Sequence, residues 1–175
     1  DIYWMKYYVM MAKKIGLDEI RSEDTSLFEL LEKTLSSIKP DMTIFYQLLM
    51  ELPEEVNSEE DTIKHFKDCF YDEPSKADSQ DLFNLINSYR ERIKTNKIGR
   101  NESLRLMSES NPRFILRNYL LHQAIEELER GQDTLFIKLQ KAIKTPYSRE
   151  HDEFFTKRPD WASGKAGCSM LSCSS

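Results

Sequence analysis

Apolar residues in this chain return every three or four positions in one stretch after another, and no stretch alternates convincingly with a period of two. That spacing gathers apolar side chains on one face of a helix and leaves no face of a strand to bury. Leu27, Leu30, Leu31 and Leu35 form one stripe, closed near Pro40. Phe45, Leu48, Leu49 and Leu52 form the next, in a stretch from Met42 to Leu52 closed by Pro53. A short connection between two such stripes favours an antiparallel helix pair. Leu82, Phe83, Leu85, Ile86, Tyr89 and Ile93 make a third, and Leu135, Phe136, Leu139 and Ile143, expected to face inward ahead of Pro146, a fourth. The opening segment, Ile2 to Ile15, reads as a helix closed by Gly16, and shorter helical pieces are expected at Thr62 to Tyr71 and Leu104 to Met107. Ser26-Leu27-Phe28-Glu29 has the spacing of a capping box, and Asp41 suits the cap of the second stripe. The fold class is therefore all-α, an irregular bundle of about six to seven helices with no sheet.

The organising stretch runs from Asn111 and Pro112 through Arg113, Phe114, Arg117 and Asn118 to Ala124. Asn111 can cap a helix and Pro112 suits the first helical position, where no N–H is needed, so a helix is predicted from here to about Arg130, ahead of Gly131. On that helix Phe114, Leu121, Ala124, Ile125 and Leu128 share one arc, while Ile115, Leu116 and Tyr119 cover much of the other side. Apolar on both sides, it belongs in the middle of its domain. Arg117 would project among Leu121, Ala124 and Leu128, where a charge needs a carboxylate or backbone carbonyls. A buried structural ion pair is the plainer reading of Arg117, and holding a neighbouring domain the sharper one. Asn111, Pro112, Arg117 and Asn118 are thus candidate structural residues.

The 175 residues, 39% of them hydrophobic, suffice for one helical domain over 1–160, followed by a small, polar, flexible tail over 161–175. The net charge of −5, with acids and bases interspersed, argues against nucleic acid as a partner. The longest uninterrupted apolar run, Tyr7 to Ala12, is far too short to span a bilayer, so no membrane partner is expected. None of the five glycines sits in a phosphate-cradling pattern. The chain opens on Asp1 and runs at once into Ile2-Tyr3-Trp4-Met5, so it is expected to be a piece of something longer, with an opening helix that packs partly against sequence outside it.

Catalytic patterns are missing. His65, His122 and His151 lack the spacing of a zinc site, the acidic clusters lack a calcium-loop pattern, and neither a nucleophile elbow nor a kinase signature occurs. No metal ligands and no complete active site are therefore assigned to these residues. The three cysteines, Cys69, Cys168 and Cys173, are too few and odd in number for a disulfide-stapled scaffold. Cys69, on an apolar side, reads as a small buried hydrophobe. Cys168 and Cys173 sit in the tail, which supplies access to another thiol but says nothing of thiolate character.

Asn111-Pro-Arg-Phe-Ile-Leu-Arg-Asn-Tyr-Leu, Gln123-Ala-Ile, Pro146-Tyr, Arg158-Pro-Asp-Trp161-Ala and the terminal Ser172-Cys-Ser-Ser, together with Ala12-Lys-Lys-Ile-Gly16-Leu and Pro40-Asp-Met-Thr-Ile-Phe45, resemble the C-terminal region of the selenoprotein O family. The likeness runs over most of the chain and is nearest to a fungal mitochondrial member with cysteine in place of selenocysteine. It implies a protein adenylyltransferase with a kinase-like fold upstream, which binds ATP and Mg2+ and transfers AMP to hydroxyl groups of protein substrates in mitochondria. No position here matches the family's nucleotide or metal ligands, so the chain itself is expected to bind no cofactor and to have the kinase-like domain as its partner. The one functional residue carried over is Cys173, at the family's terminal redox position, where the resemblance implies a disulfide with a cysteine of the kinase-like domain. Cys168 is an addition that could act as a resolving thiol. Two other readings stand beside this one: a helical protein-interaction module without enzymatic role, and a small thiol relay through Cys168 and Cys173.

Overall fold

A computed structural model describes residues 2–165 and Cys168. Among them the chain is helical, with nine α-helices, two short 3-10 turns and no strand, as the spacing predicts. It divides into two compact units at Asn111 and Pro112.

The first unit holds α1 (Ile2–Lys14), α2 (Asp24–Ile38), α3 (Met42–Met50), α4 (Glu59–Phe66), α5 (Lys76–Ile93) and α6 (Arg100–Ser110). α5 packs on α2 and α4, α1 packs on α6, and α3 touches α4 and α6. Leu27, Phe28 and Leu31 of α2, Phe45 and Leu49 of α3, Phe66 of α4 and Leu82, Leu85 and Ile86 of α5 supply the core. Phe45 and Phe66 stack with ring centres 5.1 Å apart. Each such side chain stabilises the unit by about 1.5–3 kcal/mol when fully buried.

The caps explain most boundaries. Asp41 accepts from the Ile44 amide (3.1 Å) and Ser58 from the Asp61 amide (3.0 Å), and Ser75 accepts from that of Asp78 (3.2 Å). Ser58 draws Glu59, Glu60 and Asp61 into the first turn of α4, so that acidic stretch is helical, its charges facing the positive helix end. The expected capping box at Ser26 does not form. α2 begins at Asp24, and the Ser26 hydroxyl donates back to the Glu23 carbonyl from inside the first turn. The reason is Asp24 itself, nearly fully buried, whose carboxylate accepts from Arg92 Nε (2.5 Å) and Nη2 (3.2 Å) and from the Arg21 amide (2.8 Å). Gly16 turns the chain out of α1 at a φ of +76° and brings its carbonyl to Ser103 Oγ (2.7 Å) and Asn96 Nδ2 (2.9 Å).

The second unit holds α7 (Asn118–Glu129), α8 (Thr134–Lys144) and α9 (Asp160–Ser163), with a 3-10 turn at Asp152–Phe154. α7 and α8 pack together, joined by a tight turn in which Gly131 has a φ of +78°. Phe114, Tyr119, Leu120, Ala124, Leu139, Ala142, Phe154, Ala162 and Cys168 form one buried apolar cluster.

Two expectations are corrected here. The organising helix begins at Asn118, not at Asn111. With the core taken by Tyr119, Leu120 and Ala124, the neighbouring positions Leu121, Ile125 and Leu128 are left 41%, 48% and 42% exposed. Likewise α8 buries Leu139 and Ala142, while Phe136 and Ile143 face outward.

Candidate functional site

The stretch that the sequence singles out, Asn111 to Asn118, is a set of backbone anchors. Asn111 ends α6 rather than starting a helix: its amide donates to the usual helical partner, the Met107 carbonyl (2.9 Å), and its backbone is extended (φ −121°, ψ 99°) as befits a residue before proline. Its side-chain Nδ2 donates to the carbonyls of Lys14 (2.8 Å) and Met107 (2.9 Å), and its own carbonyl accepts from Gln47 Nε2 (3.2 Å). One asparagine thus ties α1, α3 and α6 together. Pro112, half-buried, follows outside any helix.

Beyond it, the amides of Arg113 and Phe114 both donate to the Pro146 carbonyl, at 2.8 and 2.9 Å. This clamp holds the segment extended and prevents the helix from starting early. The Arg113 guanidinium donates to both carboxylate oxygens of Asp152 (2.5 and 2.9 Å) and lies over the Phe155 ring, 4.0 Å from its centre. The Arg113 bond holds the Asp152 carboxyl below the usual carboxylate range. Arg117 takes the position before α7 with extended backbone, half-buried, and its carbonyl accepts from the Leu120 (3.0 Å) and Leu121 (3.1 Å) amides. Being outside the helix, it is not on the apolar arc where it was expected. Asn118 is the first residue of α7.

A buried arginine among the described residues is Arg92. It meets Asp24, the Glu19 carbonyl (3.0 Å) and Asn96 Oδ1 (3.0 Å), with Asp18 at 3.8 Å. Burial pushes the Asp18 carboxyl up, yet the Lys97 and Glu19 amides (2.5 and 2.9 Å) and the Arg92 charge outweigh it and hold it below the carboxylate range. No helical period marks the pairing with Asp24 and the Glu19 carbonyl, which lie 68 and 73 positions away.

The tail cysteines part company. Cys168 is buried, 3% exposed, a free thiol inside the second unit's cluster. Trp161 meets Tyr119 edge to face with ring centres 6.1 Å apart, and Lys165 Nζ donates to Glu126 Oε1 at 2.7 Å. That bond holds the Glu126 carboxyl below its ordinary range. Cys173, the predicted redox residue, lies outside the described residues.

The other notable surface is on α1. Tyr3, Trp4, Met5, Val9 and Met10 are exposed at 84, 60, 68, 41 and 48%, while Met11 and Ala12 face the core. Next to them the Tyr7 hydroxyl donates to Glu32, and burial together with that carboxylate pushes Tyr7 up to about 12. Lys14, whose ammonium lies 4.3 Å from the centre of the Tyr46 ring, is held below the usual lysine range by burial.

Among the described residues no group of three or more His, Cys, Asp or Glu could hold a metal ion, and no helix is long and apolar enough to cross a membrane. An internal gap of about 10 Å³ between Ile15, Leu31, Phe45 and Ile86 is apolar and too small for a ligand.

The sequence model of the family described as protein adenylyltransferase SelO matches residues 1–145. The chain is 52% identical over its whole length to a protein nucleotidyltransferase YdiU from Cytophaga hutchinsonii, of which it covers 33%. It is 38% identical, over 95% of its length, to the YdiU protein of Nitrosospira multiformis, covering 34% of it. Against that of Xanthomonas euvesicatoria the identity is 36% over 94% of the chain, covering 32%. Each of these relatives is named as a nucleotidyltransferase that acts on protein. The chain belongs to the SelO family of protein adenylyltransferases. It spans about a third of the length of the curated relatives it matches.

Proposed function

We propose that this chain is the C-terminal helical portion of an AMP-transferring enzyme. A kinase-like domain outside it would bind ATP and Mg2+ and transfer AMP to Ser, Thr or Tyr hydroxyls of protein substrates. In this division the chain binds no nucleotide, buttresses that domain, and supplies Cys173 as a redox latch. The observation that carries the reading is the exposure of α1, where five large apolar side chains stand in solvent on a chain a third as long as its relatives. So many large apolar groups in water on one helix mark a contact with more protein. The exposed Leu121, Ile125 and Leu128 of α7, at i, i+4 and i+7, add an apolar face. The mitochondrial location that the resemblance implies belongs to this reading too and rests on the resemblance alone, the relatives named above being bacterial proteins.

The test incubates the intact parent protein, reduced and oxidised, with ATP labelled at the α- or the γ-phosphate, with residues 1–175 as the blank. Protein labelling from the α-label alone, absent from the blank and altered by redox state, is the expected result. Labelling from γ alone would make the parent an ordinary kinase, and no labelling from either would favour a helical interaction module. Saturable ATP binding by residues 1–175 would overturn the division of labour. The thiol relay is disfavoured by the burial of Cys168, because exchange needs an accessible thiolate.

A further inference from the structure

We propose that the stripe Tyr3, Tyr7, Met10 and Lys14 of α1 seats an apolar surface of the kinase-like domain, and that a carboxylate on that surface pairs with the Lys14 ammonium. This rests on the reading of that domain as the neighbour of α1, and adds the chemistry of the surface it presents there.

The four residues recur at i, i+4, i+7 and i+11, so they lie along one side of the helix. Tyr3 and Met10 stand in solvent, and Tyr7 and Lys14 are partly buried at the edge of the first unit. Lys14 closes the stripe. Its ammonium lies over the ring of the buried Tyr46, 4.3 Å from the ring centre. Among the described residues no carboxylate forms an ion pair with it, and burial is what holds it below the usual lysine range. Glu32 of α2, the carboxylate that meets this stripe, already accepts from the Tyr7 hydroxyl. Lys33 and Lys97, both well exposed, do have carboxylate partners, in Asp81 and Glu19. The half-buried lysine is thus left with a ring face and water.

A protein surface laid on the stripe removes that water, and the ring face offsets only part of the loss. A carboxylate restores it. The rest of α1 asks for the same sign of charge: the helix carries Lys6, Lys13 and Lys14 and no Asp or Glu, so an acidic surface is drawn to it and a basic one repelled. The chain covers 33% of its Cytophaga relative, so a parent of that length has the protein to supply such a surface.

The experiment treats the intact parent with a water-soluble carbodiimide and identifies the coupled peptides by mass spectrometry. The reagent joins an ammonium and a carboxylate in contact as an amide, the elements of water passing to the carbodiimide as its urea. Lys33 and Asp81, paired at 2.8 Å, are the internal control. The expected product joins Lys14 to an Asp or Glu outside residues 1–175. Coupling of Lys14 to a carboxylate within residues 1–175, in the same copy or a second one, overturns the proposal. So does a Lys14 left uncoupled while Lys33 and Asp81 couple. A rate gives an independent reading, because only the free amine is acylated. Replacing the identified carboxylate by its amide should speed acetylation of Lys14 at about pH 8 by about tenfold or more, the loss of a pairing worth about one pKa unit or more. A rate that the amide leaves unchanged refutes the ion pair. Met10 separates this from the buttress itself. Slow oxidation of Met10 by hydrogen peroxide in the intact parent, with no carboxylate found for Lys14, keeps the domain over α1 and removes the ion pair. Oxidation of Met10 as fast as that of free methionine leaves α1 uncovered, and both readings fall.

Discussion

At the scale of single residues, two sites in the first unit are costly to change one residue at a time. A Cβ on Gly16 would lie 2.4 Å from Ser103 Oγ and 3.0 Å from Met107, at a φ of +76° that side chains avoid. Ser103 is buried and already bonded to the Gly16 carbonyl, so it cannot give way cheaply. Gly16→Ala should therefore cost about 2 kcal/mol or more, read as a lower urea midpoint with an unchanged slope. Arg92 is the second site. Asp24→Asn leaves its guanidinium buried without its closest carboxylate, and a loss of about 3–5 kcal/mol is expected in equilibrium unfolding. Replacing both partners by apolar residues, Asp24→Leu with Arg92→Met, should recover most of that loss, since the pair is costly to desolvate as well as to break. The sequence set Arg117 on the apolar arc of a helix, because that arc assumed a helix beginning at Asn111. Arg92 was missed because its partners are brought to it by the turn after Gly16, and side-chain periodicity carries no record of contacts so distant in the chain.

At the scale of elements, what the sequence made legible was helix content and stop signals, since these are local. Gly16, Gly131, Asp41 and the stripes of α2, α3 and α5 read correctly because each depends on residues within a turn or two. The start of α7 was not legible, because what holds 112–117 out of the helix is the Pro146 carbonyl, more than thirty positions away. The wrong start carried the wrong buried face with it. The Arg113–Asp152 pair fastens the same segment and gives it a pH dependence. Asp152 is depressed in the folded state, so its contribution is present above the unfolded carboxylate value of about 4 and is lost as pH falls through the lower folded value. Thermal melts of the wild type should fall between about pH 5 and 2.5, and the fall should be shallower in Arg113→Met. A variant that tracks the wild type over this range would remove Asp152 from the acid response.

At the scale of the whole molecule, the question is what lies over α1. Met5 and Met10 stand 68% and 48% exposed, whereas Met11 is buried at 7% and Met107 at 0%. Hydrogen peroxide should convert the first two to sulfoxides quickly in the 175-residue chain and slowly in the intact parent, with Met11 and Met107 slow in both. Equal rates at Met5 and Met10 in the two proteins would leave the buttress without its contact surface. The candidate site itself was legible only in part: the motif Asn111 to Asn118 was found, but its work as a set of backbone ties depends on the carbonyls of Lys14 and Pro146, which no sequence pattern marks. Those ties have a further effect on how the chain meets a protease. Asn111 is bonded through its amide, its carbonyl and its side chain, and Arg113 and Phe114 through their amides, so only Pro112 separates two firmly held stretches of backbone. A protease must draw its substrate out into an extended strand free of other bonds, so the division between the two compact units is a poor place for a nick, although a domain boundary is where one would ordinarily look for it.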